Sequence, residues 1–159
     1  MNVVCIICCV STAIFTAHAA CKSKSSLTSF ERAALDAHNK LRRLHKDTPD
    51  LCYGESGSDI AFYSQTWAEQ LASEDSFYHS TSSQYFDRRN PYGENLAWRG
   101  GLRSGTPLGG SISEAYKFSI KEGWYDEIVD WDFATSSKFR SDAVVGHFTQ
   151  VVWKETGGL

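Results

Sequence analysis

The chain has 159 residues, of which 42% are hydrophobic and 22% charged, enough for one globular domain with its own core. A formal net charge of -3 leaves no surplus of cations to neutralise phosphates, so nucleic acid is excluded as the main partner. Aromatic residues make up 13%, which supplies large rigid surfaces for a core or a ligand groove.

Residues 1–20 carry no Asp, Glu, Lys or Arg. The apolar run Val3-Val4-Cys5-Ile6-Ile7-Cys8-Cys9-Val10 continues to Phe15, and Ala17-x-Ala19 has the small residues of a signal-peptidase site. Ser11, Thr12 and Thr16 interrupt the run and make it short for a membrane span. Residues 1–20 are therefore expected to be a cleaved secretory signal, with 21–159 as the mature domain and no transmembrane segment in it. Cys5, Cys8 and Cys9 would leave with the signal, and only Cys21 and Cys52 remain. That pair can close one disulfide in an oxidising compartment or stay as two free thiols. No Asn-x-Ser/Thr sequon occurs.

After a Ser-rich lead-in, Thr28 and Glu31 have capping-box spacing, and Ala34, Ala37, Leu41 and Leu44 recur at helical intervals. The first helix is expected to end near Lys46-Asp47-Thr48-Pro49, with the basic cluster Arg42-Arg43-Leu44-His45-Lys46 as its solvated end. Ile60, Tyr63, Trp67 and Leu71 share a face of a second helix capped by Ser58 or Asp59. Residues 73–92 have no helical period and read as a long loop, as does the Gly-rich run 100–110. Gly93 to Trp98 between them is short and extended. Tyr116, Ile120, Trp124 and Ile128 predict a third helix over 113–130, and the alternation from His147 to Trp153 predicts a strand.

No His-Glu-x-x-His helix, P-loop, dinucleotide fingerprint or Gly-x-Ser-x-Gly elbow is present, and neither mature cysteine has a catalytic flank. His79, Glu94, Glu127 and His147 are scattered along the chain, and spacing alone does not bring them together.

Several segments carry a resemblance. Gly146-His147-Phe148-Thr149-Gln150-Val151-Val152-Trp153 closely resembles the signature segment of the CAP superfamily, the cysteine-rich secretory, antigen-five and pathogenesis-related proteins. Ala37-His38-Asn39-Lys40-Leu41-Arg42, the helix Trp67-Ala68-Glu69-Gln70-Leu71-Ala72, the pair His79-Ser80, Tyr92-Gly93-Glu94-Asn95-Leu96-Ala97 and Trp124-Tyr125-Asp126-Glu127-Ile128 follow the family's order. The chain is most similar to the compact, cysteine-poor branch that includes the Golgi-associated plant-pathogenesis-related protein. The resemblance implies an α+β fold, a three-layer α-β-α sandwich with a small antiparallel sheet. In relatives that sheet is completed by strands after the signature, which this sequence does not contain, so the domain reads as incomplete at its C-terminus.

The resemblance also implies a cleft lined by His79, Glu94, Glu127 and His147. Imidazole nitrogens are good Zn²⁺ ligands, so His79 and His147 are expected to bind a divalent metal while Glu94 and Glu127 orient them. His38, Asn39 and Asn95 are given structural roles, Asn95 at a tight turn. The implied function is a secreted, non-enzymatic binding module for a sterol, a lipid or a protein partner, with Trp124, Tyr125, Trp131 and Phe133 as an apolar groove, or else as core. The alternative is a metal-dependent endopeptidase. A channel-directed toxin would call for a Cys-rich extension that this sequence does not carry. A homodimer is possible for the branch it resembles.

Overall fold

Helix α1, Ser29–Arg42, starts where Thr28 and Glu31 place it. The Thr28 hydroxyl accepts from the Glu31 N–H, and the Glu31 carboxylate accepts from the Thr28 N–H, so two orphan donors of the first turn are satisfied. The computed structural model describes residues 2–10, 21–53, 59–80, 92–99 and 117–159 of the chain. Within them, α1 is followed by α2 (Asp59–Glu74), β2 (Tyr92–Arg99) and a π-helical segment, Lys117–Trp124. Next come a 3-10 segment, Tyr125–Asp130, the short hairpin β3 (Trp131–Asp132) and β4 (Ser137–Lys138), α3 (Gly146–Val152) and β5 (Thr156–Gly158). The Gly-rich run 100–110, the start of the third helix at 113–116 and Ser58 lie outside the described residues.

Strand β1 is Asn2–Val10, the segment expected to be a leader, and it is the middle strand of a three-stranded sheet ordered β2-β1-β5. It runs antiparallel to β2, from Asn2 opposite Arg99 to Cys9 opposite Tyr92, and antiparallel to β5, with Val10 opposite Thr156. The Ala17-x-Ala19 site lies outside the described residues.

Successive residues of a strand point to opposite faces, and β2 uses both. Leu96 joins Ile60, Trp67 and Leu71 of α2 in one cluster. Ala97 joins the other, which holds Leu35 and Leu41 of α1, Ile120, Trp124 and Tyr125, and Phe148 and Val151 of α3. The sheet is thus covered by helix on both sides, the three-layer α+β arrangement. The Cys21–Cys52 disulfide is closed, with the Cα atoms 5.5 Å apart, and Cys52 donates its N–H to Gly157 O beside β5.

Four expectations are corrected. The predicted strand over His147–Trp153 is the helix α3: Phe148 (1% exposed) and Val151 (0%) are buried at helical spacing, while Trp153, which alternation would place beside Val151, is exposed. Seven residues rich in β-branched side chains are too few for periodicity to decide between the two. The third helix is not one regular helix. A strict four-residue spacing drifts by about 40° per repeat around a 3.6-residue helix, and the chain changes from π-helical to 3-10 winding at Trp124–Tyr125.

Arg42 is no solvated helix end but fully buried. It sits one turn after His38 on the stripe that holds Ala34, Leu35 and Leu41, and its guanidinium donates to the carbonyls of Pro49, Val151, Trp153 and Thr156. Arg43 does end α1 in solvent, paired with Asp50. Asn95 occupies no tight turn: it lies within β2 and bonds across to α3.

His38 and Asn39 are structural, as expected. The Asn39 amide pairs with both backbone groups of Leu51, at 2.7 and 3.0 Å. His38 donates Nδ1–H to Ala34 O at 2.9 Å, and burial pushes its pKa down to about 4.

Candidate functional site

The chain threads from Trp124 into the 3-10 segment because the Trp124 indole is pinned: its Nε1–H donates to Leu96 O of β2 at 3.0 Å. One turn on, Glu127 reaches the start of α3. Helix α3 has Val145 at its N-cap and no capping side chain of its own, so its first N–H groups need an outside acceptor. Glu127 Oε2 accepts from the N–H groups of His147 and Phe148 at 3.0 and 3.1 Å, and Oε1 accepts from His147 Nδ1 at 2.6 Å. A carboxylate at a helix N-terminus also meets the positive end of the helix dipole. The His147 ring stacks on Trp124 at 6.4 Å between centroids with 15° between the planes.

The second pair is built from β2 and the tail of α2. Tyr78 donates its hydroxyl to Glu74 at the end of α2 and packs edge-on against Trp67, which holds the outgoing chain against the helix. His79 follows, and its Nδ1 meets Glu94 Oε1 at 2.6 Å. The same oxygen accepts from Ser80 N–H at 3.1 Å. His79 is 63% exposed, whereas the Glu94 side chain is only 6% exposed. Glu94 Oε2 and Ser80 Oγ are both buried with no hydrogen-bond partner.

Neighbouring residues of β2 connect the two pairs. Glu94 holds His79, and the next residue, Asn95, donates its amide to His147 O at 3.1 Å. Gly93, one residue earlier, lets α3 come close: a Cβ there would stand 1.9 Å from Gln150 Oε1.

Each pair has the same chemistry. A carboxylate can only accept, so the proton sits on Nδ1, and in the neutral ring Nε2 keeps its lone pair. This is the arrangement in which a carboxylate fixes the tautomer of a metal-binding imidazole. The donor set therefore fits a divalent cation at Nε2 of either histidine. Among the described residues, no three His, Cys, Asp or Glu side chains form a ready cage.

The four aromatic residues weighed for a groove divide. Trp124 and Tyr125 are core residues, at 1% and 8% exposure. Trp131 is half-buried against the core, and only Phe133 is open, stacked on His45 at 6.1 Å. His45 in turn meets the Tyr125 hydroxyl at 2.8 Å through Nε2, and its pKa is lowered, by partial burial first and then by the nearby Arg42 charge. Arg42 is the member of this neighbourhood that the sequence reading misses, and its helical spacing from His38 is the available signal. Ser80, quoted beside His79 in the resemblance, contributes its backbone N–H.

The family model that matches residues 35–158 is that of the cysteine-rich secretory protein family, CAP. The chain is 35% identical to protein PRY2 of Saccharomyces cerevisiae over 80% of its own length and 30% of that protein's. It is 32% identical to the secreted protein RBT4 of Candida albicans, over 83% of the chain and 29% of the relative. It is also 32% identical to cysteine-rich secretory protein 3 of Homo sapiens, over 79% of the chain and 44% of the relative. The chain thus spans less than half the length of these curated relatives.

Proposed function

The chain belongs to the cysteine-rich secretory protein (CAP) family, and on that premise we propose that it is a secreted extracellular binding module with a divalent-cation site at His79 and His147. Secretion is supported by the names of its relatives, a secreted protein and a cysteine-rich secretory protein. No helix among the described residues is long and apolar enough to cross a membrane.

One observation carries the metal reading: each imidazole is held at Nδ1 by a carboxylate 2.6 Å away, which turns Nε2 into the available ligand atom. His79 and His147 would hold the cation, and Glu94 and Glu127 would fix their tautomers. The bound cation would supply a fixed positive charge at the histidines, which an apolar partner at Phe133 does not require. Binding is favoured over endopeptidase chemistry because both carboxylates already spend an oxygen on an imidazole, which suits holding better than taking a proton from water. The bound partner is a sterol, a lipid or a protein surface. Of the candidate groove residues, Phe133 has the open ring to meet it.

Calorimetry with Zn²⁺ at pH 7.5 on the full chain tests the site. One cation per chain is expected, and His79→Ala or His147→Ala should each weaken it at least about tenfold. Absence of heat with the folded protein overturns the metal reading. A saturable sterol titration tests the partner: Phe133→Ser should weaken it and His79→Ala should not, and the reverse pattern would reassign the ligand to the histidines.

A further inference from the structure

Trp124 ends the π-helical segment and caps the 3-10 segment that carries Glu127. A 3-10 helix has three residues per turn, so side chains at i and i+3 lie one above the other. At α-helical pitch the same two positions would stand about 60° apart. The change of winding at Trp124 therefore brings its indole and the Glu127 carboxylate to one side of the segment, and both meet His147 there. Glu127 holds the imidazole by its edge, at Nδ1, while Trp124 lies along its face, with 15° between the planes and 6.4 Å between centroids.

The indole has little freedom of its own. It is 1% exposed, its Nε1–H is taken by Leu96 O at 3.0 Å, and the His38 ring packs 6.3 Å away. A fixed indole leaves the imidazole one plane to lie in. With Nδ1 held by Glu127, the direction of Nε2 is then set, and the His147 side chain keeps 30% exposure through which a ligand can reach it. The face of an indole is negative, and an imidazole becomes electron-poor when Nε2 gives its lone pair to a cation. The stack is thus stronger in the loaded state than in the empty one, and that difference adds to affinity.

We propose that Trp124 is a positioning residue of the cation site: it fixes the plane of the His147 imidazole and stabilises that ring when a divalent cation draws electron density through Nε2. This role rests on the cation reading of His147 given above, and Trp124 itself would touch no cation.

Fluorine on the six-membered ring of an indole drains the negative charge of its face and hardly alters its shape. Tryptophan bearing one, two or three ring fluorines is placed at position 124 of the full chain, and each form is titrated with Zn²⁺ by calorimetry at pH 7.5. Affinity should fall with each fluorine, by about three- to tenfold over the series, while the urea midpoint of the zinc-free chain stays nearly constant. In a His147→Ala background the same series should leave the remaining zinc affinity unchanged. Equal affinity across the series overturns the proposal and leaves Trp124 as core packing alone. A decline that persists in His147→Ala overturns it too, because the effect then bypasses His147. If the chain with ordinary tryptophan takes up no Zn²⁺, the cation reading falls and this role with it, whereas a flat series with zinc still bound removes this role alone.

Discussion

The two histidine–glutamate pairs are alike in their contact and unlike in what surrounds them. Both close at 2.6 Å through Nδ1. The His147–Glu127 pair is part of the frame: its carboxylate caps α3, its imidazole stacks on a core tryptophan, and Arg42 anchors the far end of the same helix. The His79–Glu94 pair hangs from the outgoing chain of α2, with an exposed imidazole and a buried carboxylate that keeps one oxygen unpartnered. Identical chemistry can thus be tied to folding in one pair and nearly uncoupled from it in the other.

Arg42→Met breaks the anchored side most severely. It leaves the carbonyls of Pro49, Val151, Trp153 and Thr156 without their donor, and a loss of about 4 kcal/mol is expected. Urea unfolding measures it, and a loss below about 1 kcal/mol would mean that Arg42 does not hold α3 in place.

The next effect is a pH dependence on the same side, where His38 packs 6.3 Å from Trp124, which in turn stacks on His147. Its folded pKa lies near 4, below the ordinary 6.5. The unfolded chain therefore binds the proton first, so stability is undiminished above about 6.5 and falls as pH drops toward 4. Fully developed, the loss is about 3 kcal/mol, and His45, also lowered, works in the same direction. Comparing denaturant midpoints of the wild type and His38→Gln from pH 7 to pH 4 should show a shallower decline in the variant. Parallel curves would move the acid sensitivity elsewhere.

Glu127→Ala removes a cap and a histidine partner together, for an expected loss of about 2–3 kcal/mol. Glu94→Ala should cost about 1 kcal/mol, since it breaks one backbone bond and one bond to an exposed ring. Equal losses would erase the contrast between the pairs. The smallest effect is that of His79→Ala on stability, within about 0.5 kcal/mol, because the side chain is 63% exposed. The same variant should nonetheless weaken zinc, so binding and stability part company at this residue and not at His147.

Elements whose signals are local were legible in the chain before any packing was known. Thr28 and Glu31 marked the start of α1, Ile60, Trp67 and Leu71 marked the face of α2, and Gly93 to Trp98 marked β2, because caps and periodicity act over a few residues. The family was also legible, and with it the names of the two histidines and two glutamates. Which histidine meets which glutamate came from the packing of the whole chain, since contacts between Glu127 and His147 or between His79 and Glu94 depend on how distant segments dock. It decided too that α3 is a helix, where packing of Phe148 and Val151 outweighs strand propensity, and that Arg42 is buried, where the carbonyls ending α3 replace water around its charge. The place of residues 2–10 between β2 and β5 is the clearest case. A continuous apolar run suits a leader and a covered middle strand alike, so composition does not tell which strands residues 2–10 meet.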